Sequence, residues 1–520
     1  MLILLVVYIP IYVWVWRRPE QAERYHLVKY GPAIMIKTRL GIGLMDRLAR
    51  YTRFWRFFGF LSKFISAALM ALMVYVVIVG IINLPSRMGG SSIGIEYALA
   101  IPGFNPILPL SYGIVALFVA MVVHEMGHGI QARANNVDVN STGLLYAVVP
   151  LGAFVEPDEE GMSKSSRRVQ MDVYTAGISV NTICAVLCIF ILMFSMGSVS
   201  SPYDDSPAVT SVDADSPAFD SGLPISAIIT GISEDGVLVY PAEAVWSKGV
   251  VSLGSSATEV DPSKKYYIEY VHDGQTRMSD VPIHLGVYVK SVVSGGPANE
   301  GGIGHSVFIY SITNVTQGGD EEVFSTTSEF TGYMSGTRAG DEVLIRTMDK
   351  SGSFQEHTLV LGGNGGIGYL GVYVDSAGFA LTTPEHMLSI ASNPFAAADG
   401  SPMSYVTSFL SYLSGPMNGM APVDDDVQWW YDVPMGDLFW ILMSLAYWLF
   451  WLNILLAISN MLPAYPFDGG FVFRGGIDWL LEKFGVRDAE RREELTSNAT
   501  NVVSNVMIFM FLLIVIGFLI

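Results

Sequence analysis

The sequence predicts a multi-pass α-helical membrane protein of about six spans, interrupted by an extracytoplasmic α+β insert. Three observations carry this reading. Of 520 residues, 51% are hydrophobic and only 15% charged, against about a quarter charged in an ordinary soluble domain. Six apolar runs approach the ~20 residues that cross hydrocarbon. The net charge of −19 is unevenly placed: Ser198–Leu370 holds 22 acidic and 8 basic residues, whereas Arg17–Lys63 holds 11 basic and 3 acidic. An acidic largest polar region argues against a nucleic-acid partner.

The first run, Leu2–Trp16, has no basic residue ahead of it and no small-residue cleavage site behind it. It reads as an uncleaved span rather than a signal peptide. The others are Phe58–Leu84, Leu108–Ile130, Val173–Met196, Leu438–Met461 and Val503–Ile520. Lysine and arginine in short loops set orientation. The Arg17–Lys63 loop is therefore expected in the cytoplasm. Alternation then puts Lys164, Arg167 and Arg168 on that side, with Arg474, Lys483, Arg487, Arg491 and Arg492, and leaves acidic Ser198–Asp437 outside. Trp429, Trp430 and Tyr431 precede the fifth span, where an aromatic belt is expected. The two cysteines, Cys184 and Cys188, are four apart in an apolar run. That spacing supports neither a disulfide nor a thiolate metal site.

The acidic region carries an internal repeat. Ala208-VTSVDADSPAFDSGLPISAIITGIS aligns without gaps, at an offset of 80, with Tyr288-VKSVVSGGPANEGGIGHSVFIYSIT. Val209 meets Val289, Pro217 meets Pro297, Gly222 meets Gly302 and Ile232 meets Ile312. Each copy reads as strand, small-residue turn with a short helix, then strand. Ser216-PAFDSGL and Gly296-PANEGGI resemble the S-P-A-x-x-A-G-L signature of PDZ domains in membrane and envelope proteases. The Gly-Asp turn that usually follows is replaced by Pro224-Ile and Gly304-His. The organisation expected is two N-terminal spans with a basic loop (1–106), a first core segment (107–200), PDZ-like domains at 205–285 and 286–365, a linker with an interfacial helix (366–436), within which Glu385–Met420 reads as an interfacial helix, a gate or a tether, and a second core segment (437–520).

Two constellations carry chemistry. Val122-Val-His-Glu-Met-Gly-His-Gly-Ile130 contains H-E-x-x-H at the end of the third apolar run. His124 and His128, at i and i+4, share one helical face. This spacing suits two ligands of a tetrahedral zinc ion, with Glu125 beside them to take a proton from water. Such a site needs a third protein ligand, usually a carboxylate or histidine. The second constellation is Asn460-MLPAYPFDGG470. Pro463 and Pro466 interrupt the fifth span, and the topology places Asp468 on the same side as the histidines. Glu156, Asp158 and Glu159 are the next carboxylates in line.

H-E-x-x-H on one membrane helix and N-x-x-P-x-x-P-x-D-G-G on a later one resemble the site-2 proteases, a family of intramembrane zinc metalloproteases. Gly177-Ile-Ser-Val-Asn181 resembles the family's G-x-x-x-N, and Pro150-LGAFVEPDEE160 its re-entrant β segment. The resemblance implies one zinc ion per chain, held by His124, His128 and Asp468, with Glu125 as general base and then proton donor. It implies substrate-binding roles for Asn460 and Asn181, and for Gly152 and Phe154 in a strand edge offered to an unwound substrate. The expected activity is hydrolysis of a peptide bond in or near a transmembrane segment of a membrane-anchored protein, in regulated intramembrane proteolysis. The active site would face the cytoplasm. The competing readings are a catalytically inactive PDZ-bearing scaffold or chaperone, which leaves Glu125 unexplained, and a transporter with a metal site in broken helices, which leaves the repeat unexplained as well.

Overall fold

The computed structural model describes residues 2–84, 102–106, 108–147, 149–247, 250–418 and 423–517. The end of the sixth apolar run (518–520), the tail of the first segment (85–101) and the last residues of the 385–420 stretch lie outside the described residues. The chain divides into two compact units. One comprises Met1–Ser195, Phe409–Pro422 and Trp440–Ile520; the other comprises Met196–Ser408 and Val423–Phe439.

The first unit starts with helices α1 (Leu2–Arg17) and α2 (Pro19–Arg24), then strands β1 (Leu27–Tyr30) and β2 (Ala33–Thr38). Helices α3 (Ile42–Ala49), α4 (Thr52–Ile82) and α5 (Leu110–Ala134) follow, then strands β3 (Val139–Ala147) and β4 (Val149–Pro157), and helices α6 (Glu159–Lys164) and α7 (Arg167–Met196). The unit closes with α8 (Asp437–Asn460), α9 (Asp468–Lys483) and α10 (Ala489–Gly517). Five helices among the described residues, α4, α5, α7, α8 and α10, are long and apolar enough to cross a membrane. The first apolar run forms α1, which at 16 residues is shorter than these.

The basic stretch between the first two apolar runs is not an open loop. Gly31, at φ +55°, and Pro32 turn the chain between β1 and β2. Only glycine takes that dihedral without steric cost. The hairpin then pairs with the next one, giving an antiparallel sheet in the order β1-β2-β3-β4. Gly143 on β3 makes this packing feasible. A side chain there would meet the Ile36 carbonyl and the Phe154 ring. The helices nearest the sheet are held by a small apolar core that includes Met45, Trp55, Phe58, Ile130 and Ala176. Asp172 of α7 is buried and ion-paired with Lys63 of α4. A carboxylate away from water demands such a partner.

The second unit is built on a 13-stranded sheet. Its main strands are β5 (Ala208–Val212), β6 (Ile228–Ser233), β7 (Lys265–His272), β8 (Gln275–Met278), β9 (Val287–Val292), β10 (Val307–Asn314), β11 (Glu342–Met348), β12 (Phe354–Val360), β13 (Val372–Ser376) and β14 (Phe379–Thr382). They run in the order β8-β7-β6-β5-β14-β13-β9-β10-β11-β12. The two repeat copies occupy matching elements. β5, the one-turn helix Pro217–Asp220 and β6 correspond to β9, the one-turn helix Pro297–Glu300 and β10. Ser216 caps the first short helix by accepting from the Phe219 N–H, while Gly296 stands at the second without a side-chain cap. Two apolar cores result. One gathers Val209, Ile229, Ile268 and Phe379; the other gathers Val289, Ile312, Ile345 and Leu361.

Two expectations need correction here. The stretch read as linker, 366–436, contains β13 and β14. β13 pairs with β9 of the second copy and β14 with β5 of the first. The remainder of that stretch includes helices Pro384–Ser392 and Pro402–Ser414. The expected aromatic belt is also displaced. Trp430 is buried and donates Nε1–H to the Ser226 carbonyl at 2.9 Å, and the Tyr431 hydroxyl donates to the Pro384 carbonyl at 2.9 Å. These rings are core of the second unit.

Candidate metal centre

Helix α5 presents Met121, His124, Glu125 and His128 along one face, as i, i+3, i+4 and i+7 require. Their placement depends on how closely α7 approaches. A Cβ on Gly127 would stand 3.0 Å from the Ala176 carbonyl and from the Gly177 Cα. Two glycines facing each other let the helix backbones nearly touch. In return α7 offers the Val173 carbonyl, which accepts from His128 Nδ1–H at 2.8 Å. That bond fixes the tautomer and leaves Nε2 with a free lone pair. His124 Nδ1 is buried without a hydrogen-bond partner among the described residues.

The third member arrives from far along the chain. α8 ends at Asn460, where the two prolines stop it, and α9 begins at Asp468. The glycines after Asp468 are needed for contact. A Cβ on Gly469 would collide with the Leu462 carbonyl and Met461, and one on Gly470 with Ala464 and Tyr465. The helix start thus packs directly on the loop before it and holds Asp468 at the histidines. Asp468 Oδ2 lies 3.1 Å from His124 Nε2 and 3.2 Å from His128 Nε2, and the two Nε2 atoms are 3.1 Å apart. Among the described residues, this is the group of three or more His, Cys, Asp or Glu side chains whose ligand atoms all lie within 4.8 Å of one another. Two imidazole nitrogens and a carboxylate oxygen are the donor set of a catalytic zinc site that keeps a fourth position open. The residues fit the ion.

The group opens into a cavity of about 670 Å³. Glu125 lines it, and its Oε2 accepts from the Val155 N–H of β4 at 2.8 Å. Gly152, Phe154 and Asn460 line it as well. Asn181 does not. It is fully buried in α7, and neither amide atom has a hydrogen-bond partner among the described residues. Two of the reserve carboxylates are engaged by other groups. Glu156 Oε2 is 2.8 Å from Lys37 Nζ, and Asp158 caps α6 by accepting from the Gly161 N–H at 2.7 Å. Glu159 lies on the cavity rim, outside the three-residue group. Among the lining residues that sequence reading did not single out is Met35 on β2. The signal available was the Gly-Pro turn in LVKYGPAIMIKT, with apolar residues on both sides.

The model of peptidase family M50 matches residues 112–514. The chain belongs to this family, that of the site-2 proteases. An uncharacterised protein of Methanocaldococcus jannaschii is 24% identical over 256 residues, which cover 49% of this chain and 64% of that protein. A protein of Arabidopsis thaliana named membrane-bound transcription factor site-2 protease homolog is 26% identical over 167 residues, covering 31% of this chain and 32% of its own length. The chain therefore matches less than two thirds of either relative. Family membership and the five apolar helices make this an integral membrane protein of a metalloprotease family.

Proposed function

We propose that the protein is an intramembrane zinc metalloprotease that hydrolyses a peptide bond within or near the transmembrane segment of a membrane-anchored protein. The observation that carries this is the meeting of His124 and Asp468, 344 positions apart in sequence, beside Glu125 and over an edge strand. Zinc held by His124, His128 and Asp468 would supply Lewis-acid polarisation and activation of water.

The chain's own groups supply the rest. The Val155 N–H holds Glu125 through Oε2, leaving Oε1 to take a proton from water and later deliver it to the leaving amine. β4 pairs with β3 on one side and lies at the edge of its sheet. That edge suits addition of an unwound substrate segment as a further strand. Gly152 and Phe154 would line the added strand. The Asn460 amide suits a substrate carbonyl or the oxyanion that develops from it. A broken helix at membrane depth is tolerated where it lines a cavity, and the interruption at Asn460–Asp468 does so.

The basic loops support a cytoplasmic active site and an extracytoplasmic insert. The two repeat copies suit a tandem PDZ-like filter acting before the substrate reaches the cavity, as regulated intramembrane proteolysis would use. The test is zinc content and cleavage of a single-span substrate by purified protein in liposomes, for wild type and Glu125→Gln. Zinc in both with cleavage by the wild type alone supports the proposal. Zinc without cleavage in either favours an inactive scaffold.

A further inference from the structure

We infer that the hairpin ahead of the family match builds part of the substrate site: Met35 of β2, with Met121 of α5 and Phe154 of β4, bounds an apolar side-chain subsite that opens over Gly152. This rests on the protease reading above and names the side chain that the site would select.

The register places these residues together. Met35 pairs with Leu145 of β3, and Leu145 pairs with Gly152 of β4. Residues paired across strands project from the same face. Met35, Leu145 and the bare Cα of Gly152 therefore form one row. The next row on that face, two residues along, is Lys37, Gly143 and Phe154. Gly143 has no side chain, and the Phe154 ring lies across its position, since a Cβ there would stand 2.7 Å from the ring edge. The ring's lean toward Gly143 leaves Gly152 uncovered. A Cβ on Gly152 would meet nothing within 4 Å. Met35, Met121, Gly152 and Phe154 all line the cavity that holds His124 and Glu125.

The space is thus a trough floored by glycine and walled by two thioethers and a phenyl ring. Methionine walls are apolar and adapt their shape. The matching ligand is an apolar side chain of leucine or phenylalanine size on a strand lying along β4. The hairpin is fixed well enough to select. β2 pairs with β3 over five residue pairs, Ile34↔Tyr146 to Thr38↔Thr142. On the same face, the Lys37–Glu156 ion pair bridges β2 to β4. β1 and β2 precede the family match, which begins at residue 112. The catalytic group then belongs to the matched region, and one wall of its specificity site belongs to the segment before it.

Gly152 makes the test clean, because a side chain there has room and its φ is not in the left-handed region. Full-length wild type, Gly152→Val and Met35→Ala would be reconstituted in liposomes. Each would be given single-span substrates that carry Ala, Leu or Phe at successive positions around the scissile bond. At one substrate position, Gly152→Val should lower the Leu-to-Ala and Phe-to-Ala ratios of kcat/KM by about tenfold or more, the scale on which apolar pockets discriminate. Met35→Ala should raise the Phe-to-Leu ratio at that same position. Bound zinc and the thermal unfolding midpoint, read in parallel, should match wild type in both variants. The inference is overturned if both variants retain the wild-type ratios at every position, or if each lowers all substrates in equal proportion. If wild type cleaves no substrate of the series and Glu125→Gln is indistinguishable from it, the protease reading itself fails and takes the subsite with it.

Discussion

Gly177 of α7 faces His128 of α5 so closely that a methyl group on its Cα would collide with Nε2, the nitrogen directed at Asp468. The glycine of the G-x-x-x-N pattern is therefore part of the candidate metal centre without supplying one of its three side chains. Gly177→Ala should displace the imidazole or part the helices. Zinc content should fall well below one per chain and proteolysis should fall at least ~10-fold, the lower range for lost support of a ligand. Metal analysis of the purified variant checks this. Full zinc occupancy with normal cleavage would mean that α7 yields without disturbing His128.

Asp468→Asn replaces a carboxylate with a neutral amide at the start of α9. Zinc affinity, measured by competition with a chelator, should drop by more than the ~10–100-fold typical of changes outside the ligand set. Unchanged affinity would remove Asp468 from that set. Glu159, on the cavity rim, would then be the carboxylate to test.

The second unit should weaken in mild acid through His284. This side chain is buried, its Nδ1 bonds the Pro262 carbonyl at 3.3 Å, and Nε2 has no partner among the described residues. Burial pushes its pKa below the ordinary value, so the folded state keeps it neutral. The unfolded chain takes up this proton near pH ~6.5. The stabilisation is therefore complete above that pH and is lost as the pH falls toward the folded value. His284→Asn retains an N–H donor and removes the titration. Thermal unfolding of the second unit should lose less between about pH 7 and about pH 5 in the variant than in wild type. Equal losses would assign the acid sensitivity to other groups.

Excising the insert tests whether it filters substrates. A deletion ending at Gly362 would strip β13 and β14 of β9 and β5, their partners in the sheet. A deletion from Pro207 through Thr383 removes the main strands of the sheet together. With the filter gone, substrates that still carry bulky external domains should be cut in liposomes, where wild type spares them. Slower cleavage of substrates already trimmed would show recruitment instead. Unchanged rates on both, with zinc retained, would refute a filter.

The metal group was legible because its chemistry fixes residue types at short spacings: two histidines one turn apart with a glutamate between, and an aspartate after a proline-broken helix. β4 was legible from the resemblance of Pro150–Glu160 to the family's re-entrant β segment. Two things were not. The arginines and lysines around LVKYGPAIMIKT read as a charged loop and concealed a hairpin whose Met35 reaches the cavity. The strand role of Val372–Thr382 was hidden for a different reason. Alternation along a strand shows that one face is buried, but it does not say which distant strand lies alongside. Asn181 shows the limit of spacing arguments: its motif brings Gly177 to His128, while its own side chain is buried away from the cavity.

The closing strand of the first repeat has a bearing on the order in which the protein can mature. β5 meets β6 at a single residue pair, Ala208↔Ile228, and makes its longer ladder with β14. The Thr210 hydroxyl and the Ala380 carbonyl that join these strands are 170 residues apart. At a synthesis rate of ~5–20 residues per second, β5 waits roughly ten to thirty seconds for that partner. Until then the first core lacks the Phe379 ring, and one strand edge stands open to pairing with other chains. The second repeat waits in turn for β13, which ends at Ser376, and the first for β14, which starts at Phe379. The copy that leaves the ribosome first is the last to reach its final form.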